Sequence, residues 1–202
     1  MLSGFEVVPI NCIWKEPNEL IEEIQSLFDD SEKRHWVFAK GLLDLKNIYF
    51  PAPPTGGAHL ERFMVWQPSN MSFGAVLVPN YRDAHVQLMR QLNRSYKTRY
   101  FSAFLARDYR SEGFCSFEHV SESGRERVVH VILEPRWKFF EQGEVLSFEN
   151  PEYYKRRIIR ERLTPEIVEE YLKRLGWDLG DAAFWQSKGQ AWIGKQISFP
   201  GE

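Results

Sequence analysis

Apolar positions along the chain recur at two periods, and the changes of period divide it into elements. Leu20, Ile21, Ile24, Leu27 and Phe28 fall at i, i+1, i+4, i+7 and i+8. That spacing places them on one stripe of a helix over 17–28. Pro17 suits the first turn of that helix, and Asp29-Asp30-Ser31 supplies polar residues to stop it. Residues 36–45 form a mixed apolar run that reads as a strand. The run Pro51-Ala52-Pro53-Pro54-Thr55-Gly56-Gly57 follows, and three prolines beside two glycines cannot hold a regular element. Strands are expected over 63–66 and 73–78, around the turn Pro68-Ser69-Asn70, and over 100–106. Between them a second helix spans 81–92, with His85, Leu88, Met89 and Leu92 on one face.

The runs over 114–120 and 128–133 flank Ser121-Glu122-Ser123-Gly124-Arg125-Glu126. Polar turn residues with a glycine between two strand-rich runs predict an antiparallel hairpin. Residues 136–148 continue as extended or irregular chain, with a turn at Gly143. Helix signals then dominate. Asn150-Pro151 places an N-cap and a first-position proline ahead of a helix over 153–162. Thr164-Pro165-Glu166 repeats the device for a helix running to Leu175 and closed by Gly176. Its stripe is Ile167, Val168, Tyr171, Leu172 and Leu175, and Glu169 with Lys173 and Glu170 with Arg174 are i, i+4 pairs opposite. Trp177, Phe184, Trp185, Trp192 and Ile193 are expected to fold back on the sheet. Trp137, Phe139, Phe140, Phe148, Tyr153 and Tyr154 are expected at the junction of sheet and C-terminal helices. Strands in mid-chain and helices at the ends predict an α+β fold. Residues 1–202 read as a single domain, a mainly antiparallel sheet packed by N-terminal and C-terminal helices.

Composition narrows the class. The 202 residues are 43% hydrophobic and 27% charged with a formal charge of −2, ordinary values for a globular domain. Aromatics, at 15%, are the one excess. The start Met1-Leu2-Ser3-Gly4-Phe5-Glu6 has no basic flank followed by an apolar run, and no stretch approaches a membrane span, so a cytoplasmic location is expected. Cys12 and Cys115 stand far apart without C-x-x-C spacing, which argues against a disulfide frame and a thiolate metal site.

The common active-site signatures are missing. Gly56-Gly57 lacks the flanking pattern of a phosphate loop, and no G-x-S-x-G elbow occurs. His35, His59, His85, His119 and His130 include no pair at metal-ligand spacing, so no metal and no cofactor are expected. His119 and His130 would face each other across the hairpin, near Glu118 and Glu134, which leaves a metal-independent hydrolase or nuclease as an alternative. The commoner reading puts each histidine on the wetter sheet face or gives it one satisfied hydrogen bond to donate. Glu22-Glu23, Asp29-Asp30 and Glu169-Glu170 are adjacent acids that diverge on a helix and share no proton site. Charge is segregated: Glu6, Glu16, Glu19, Glu22, Glu23, Asp29, Asp30 and Glu32 are matched only by Lys15 in that stretch. Arg82, Arg90, Arg94, Lys97, Arg99, Arg107 and Arg110 reverse the sign, with Tyr96, Tyr100 and Phe101 interleaved. Segment 82–110 thus has a nucleic-acid-binding composition, against which the overall charge argues.

The C-terminal third has a pattern of its own: Arg136-Trp137-Lys138-Phe139-Phe140-Glu141-Gln142-Gly143, then Leu146-Ser147-Phe148-Glu149, Tyr154 and Arg157, then the helix from Thr164-Pro165-Glu166. In the spacing of its aromatics this third resembles the immunity proteins encoded beside bacterial polymorphic and type VI secretion toxins. The resemblance implies a protein that binds and occludes a cognate toxin, without catalytic residues. The expected contact residues are the acids Glu19, Glu22, Glu23, Asp29 and Asp30, which would steer a basic toxin, with Trp185 and Trp192 as aromatic anchors.

Overall fold

The computed structural model describes residues 7–28, 35–49, 60–80, 85–106 and 108–198. Its strands are β1 (Val7–Ile13), β2 (Trp36–Gly41), β3 (Arg62–Trp66), β4 (Ala75–Pro79), β5 (Tyr100–Ala106), β6 (Phe114–Val120), β7 (Glu126–Leu133), β8 (Trp137–Gln142) and β9 (Ala191–Gln196). They form one nine-stranded sheet in the order β2-β9-β3-β4-β1-β5-β6-β7-β8, antiparallel at every pairing. The fold is α+β. All seven residues of the central β1 are buried, as is every residue of β4 and β5. These strands are covered on both sides, so their sequences read as continuous apolar runs rather than alternating ones.

The longer helices are α1 (Pro17–Leu27), α3 (Val86–Tyr96) and α5 (Pro165–Arg174), and α2 (Lys46–Tyr49) and α4 (Tyr109–Glu112) are single turns. Side-chain alternation sorts the core onto the two faces of the sheet. On one face Leu20, Ile21 and Ile24 of α1 and Met89 and Leu92 of α3 cluster with Phe63, Val65, Leu77 and Tyr100. On the other, Ile167, Val168, Tyr171 and Leu172 of α5, together with Phe148, Tyr154, Trp177 and Phe184, cluster with Ile10, Trp66, Phe101, Phe117 and Val129.

Several expectations change here. The helix over 81–92 is α3, which begins at Val86 and runs on to Tyr96; 81–84 lie outside the described residues. His85 ahead of it and Lys97 behind it both hold positive φ, and the Lys97 amide donates to the Asn93 carbonyl at 2.9 Å to close the helix. The helix expected over 153–162 is replaced by two 3₁₀ turns, Tyr153–Lys155 and Ile159–Glu161. Tyr154 has no buried apolar partner one turn on, since Ile158 is 45% exposed. Arginine side chains bridge the segment instead: Arg156 donates to Glu161 O at 2.8 Å, and Arg162 donates at 2.9 Å to Arg156 O, a carbonyl that a helix would use. Phe140 leaves the expected junction and sits on the opposite face, 44% exposed and stacked on His130 at 4.9 Å. Trp192 and Ile193 belong to the sheet itself, because β9 enters between β2 and β3.

The helix after Thr164 forms as its signals require. The Thr164 hydroxyl accepts from the Ile167 amide at 3.4 Å, Pro165 occupies the first turn, and Gly176 follows the end at φ +92°. Glu170 pairs with Arg174. Lys173 instead reaches Asp178 at 2.7 Å, leaving Glu169 half-buried, its carboxyl raised by that burial.

Candidate functional site

With its apolar stripe turned inward, α1 presents Glu19 and Glu22 to solvent. The Lys15 ammonium lies 3.4 Å from Glu19 and bonds Glu23 closely. Glu23 also accepts from the Thr98 hydroxyl at 3.2 Å and its side chain is only 13% exposed. It ties α1 to the start of β5 rather than facing a partner. Glu22 has no ion pair among the described residues. Asp29 and Asp30 lie outside the described residues.

Beside these acids, β2 and β9 supply aromatic rings. Trp36 stacks on Phe28 at 5.3 Å and on Phe38 at 6.0 Å, all three half-buried. Trp192 donates its indole N–H to Asn18 Oδ1 at 2.9 Å, which fixes β9 to the first turn of α1, and the Lys40 ammonium lies 4.8 Å above its ring. A recess of about 550 Å³ is lined by Glu22, Gln25, Ser26, Trp36 and Phe38. Trp185 does not join this surface. Its ring packs on Trp66 at 6.2 Å and Phe184 at 5.0 Å on the opposite face, and its N–H donates to Leu179 O at 2.8 Å. Of the seven expected contact residues, Glu19 and Glu22 lie exposed on α1 and Trp192 is bonded to Asn18 of that helix, Glu23 is a strut and Trp185 lies apart.

The expected histidine pair does not form. His119 pairs in register with Arg127 and His130 with Ser116. An odd offset along β7 then puts the two imidazoles on opposite faces of the sheet. His119 is buried against Trp14, Phe101 and Phe148 and lies 3.3 Å from Arg99 Nε, which donates to it. Burial, and then the charge of Arg99, hold its pKa down at about 4, below the usual 6.5. The folded protein therefore binds this proton less readily than the unfolded chain. Stability from keeping His119 neutral is complete above about pH 6.5 and is lost as pH falls toward 4. The loss is expected to be on the order of 2 kcal/mol. Urea denaturation at pH 7 and at pH 4.5 measures it, and His119→Asn is expected to flatten the difference.

The charged groups nearest the core are tightly satisfied. Arg127, 2% exposed, donates to both oxygens of Glu149 at 2.9–3.1 Å, to Glu141 at 2.7 Å and to the Gly143 carbonyl at 3.0 Å. Glu149 further accepts from the Tyr154 hydroxyl at 2.6 Å and the Leu146 amide at 2.7 Å. Burial alone would depress the Arg127 guanidinium; the bonds to Glu149 and Glu141 outweigh it and raise the pKa. On the other face Arg90 forks onto Glu118 at 2.9 and 3.2 Å, and the Tyr100 hydroxyl donates to the same carboxylate at 2.5 Å. Neither cluster was legible in advance. An arginine at an inward strand position looks like any arginine until its register is known.

The basic segment loses its aromatic platform, since Tyr100 and Phe101 are fully buried in opposite clusters. Arg90 is committed to Glu118 and Glu126 and Arg99 lies over the ring of Trp14, so among the described residues these two arginines and the two rings do not line one groove; Arg82 and Arg107 lie outside the described residues. Cys12 and Cys115 are buried, and burial pushes both thiols well up. Among the described residues no group of His, Cys, Asp and Glu is placed to hold a metal ion, and no helix is long and apolar enough to cross a membrane.

A scan against protein-family models finds no match, and neither do searches of curated proteins and of solved structures.

Proposed function

We propose that this chain is a non-enzymatic binding protein of the immunity type, which neutralises a cognate bacterial toxin in the cytoplasm by occluding its active site. One observation carries the reading: Glu22, exposed on α1, lines one recess with half-buried Trp36 and Phe38. Half-buried Trp192 bonds Asn18 of the same helix, and Glu19 is a further exposed acid on it. Rigid aromatics give contact area at little entropic cost, and acids beside them steer a basic cleft into register. A toxin that acts on nucleic acid has such a cleft, and carboxylates on α1 stand where it expects phosphates. The same sheet carries both hydrophobic clusters, which supports reading residues 1–202 as one domain packed by helices from both ends of the chain.

Co-expression with the toxin encoded by the neighbouring gene tests the proposal. Cells are expected to survive, and the two chains to elute together in gel filtration. Undiminished killing without a complex contradicts it.

A further inference from the structure

A second concavity, of about 780 Å³, lies at the β6–β7 turn, away from the α1 surface; its floor is Arg99, His119 and Arg127, and Ser121, Ser123 and Arg125 stand around it. Arg99 is the unusual member. Its guanidinium carbon lies over the Trp14 ring at 4.0 Å from the ring centroid, and its Nε–H donates to His119. Among the described residues no carboxylate comes within 4 Å of it. Arg127, by contrast, is held by Glu149 and Glu141. Burying a cation costs free energy unless an anion or several acceptors compensate. Arg99 is half-buried, and that partial burial lowers its pKa against the opposing field of Glu122. His119 cannot act as the countercharge, because a neutral imidazole is an acceptor and carries none.

We propose that this cleft binds an oxyanion, a carboxylate or a phosphate monoester, on the free edge of Arg99. The Trp14 ring beneath it and the bond from Nε to His119 hold the guanidinium at two points, which leaves its terminal nitrogens for a two-oxygen acceptor. The opposing charges are accounted for. Glu126 is engaged by Arg90 at 3.0 Å. Glu122 and Glu144 are exposed on the rim, where solvent screens them and exposed Arg125 offsets them. The partner surface on α1 plays no part in this argument, so either proposal can fail without the other.

The test is a titration of the whole chain with inorganic phosphate and, separately, acetate, at constant ionic strength set by chloride. NMR follows the Arg99 Nε–H and Trp14 indole resonances. Saturable shifts of both are expected with at least one anion, and the tighter of the two names the source of the oxyanion. Arg99→Gln is expected to weaken binding by about tenfold or more, Arg99→Lys to weaken it less, and Arg94→Gln, on the exposed side of α3, to leave it unchanged. Glu122→Gln is expected to tighten it. Chloride-like, non-saturating shifts, or full binding by an Arg99→Gln variant whose spectrum shows the native fold, would overturn the proposal.

Discussion

Arg127→Met is expected to destabilise the protein by about 3–5 kcal/mol, because it strands a buried carboxylate. The Glu149 side chain is fully buried, and without Arg127 it keeps only the Tyr154 hydroxyl and the Leu146 amide as donors. Glu149→Leu should cost less, since Arg127 keeps Glu141 and the carbonyls of Gln142 and Gly143. The double variant Arg127→Met/Glu149→Leu should recover most of the loss, as apolar replacements of a whole buried pair often do. Urea denaturation of the four proteins at pH 7 measures this cycle. Equal and additive losses would mean that the pair is not the unit the geometry describes.

The second large effect concerns association. Glu19→Lys/Glu22→Lys is expected to slow toxin binding about tenfold or more at low salt, with a weaker dependence of the rate on ionic strength. Both side chains are exposed on α1, and the one ion pair lost is that of exposed Glu19 with Lys15, so the fold should not change. Glu23→Lys makes the contrasting variant. It removes the acceptor for Lys15 and Thr98 and is expected to lower stability, as a strut would. Stopped-flow association across a salt series separates the two behaviours.

Much of the architecture could be read from local pattern. The stripe of α1, the seven-residue run of β5, the Ser121–Glu126 turn and the cap at Thr164 each carried a signal strong enough to stand without tertiary context. What could not be read depends on contacts distant in sequence. β9 pairs with β2 and β3 across more than a hundred residues, and nothing in Ala191–Gln196 names those neighbours. The 153–162 segment had the cap and proline of a helix but no second buried residue to hold one. The histidine pair failed on register, since the odd offset between Arg127, which faces His119, and His130 sends His130 to the other face. The acidic residues were legible as a group. Which of them is a strut was not, because Lys15 and Thr98 had first to be placed against Glu23.

The proposed partner surface is formed by α1, β2 and β9. Hydrogen–deuterium exchange of the chain, free and bound to the co-expressed toxin, maps that surface. Protection confined to peptides from α1, β2 and β9, with the rest of the sheet unchanged, is the predicted footprint. Protection centred instead on the α5 face or the β6–β8 hairpins, with α1 exchanging as in the free chain, would contradict it.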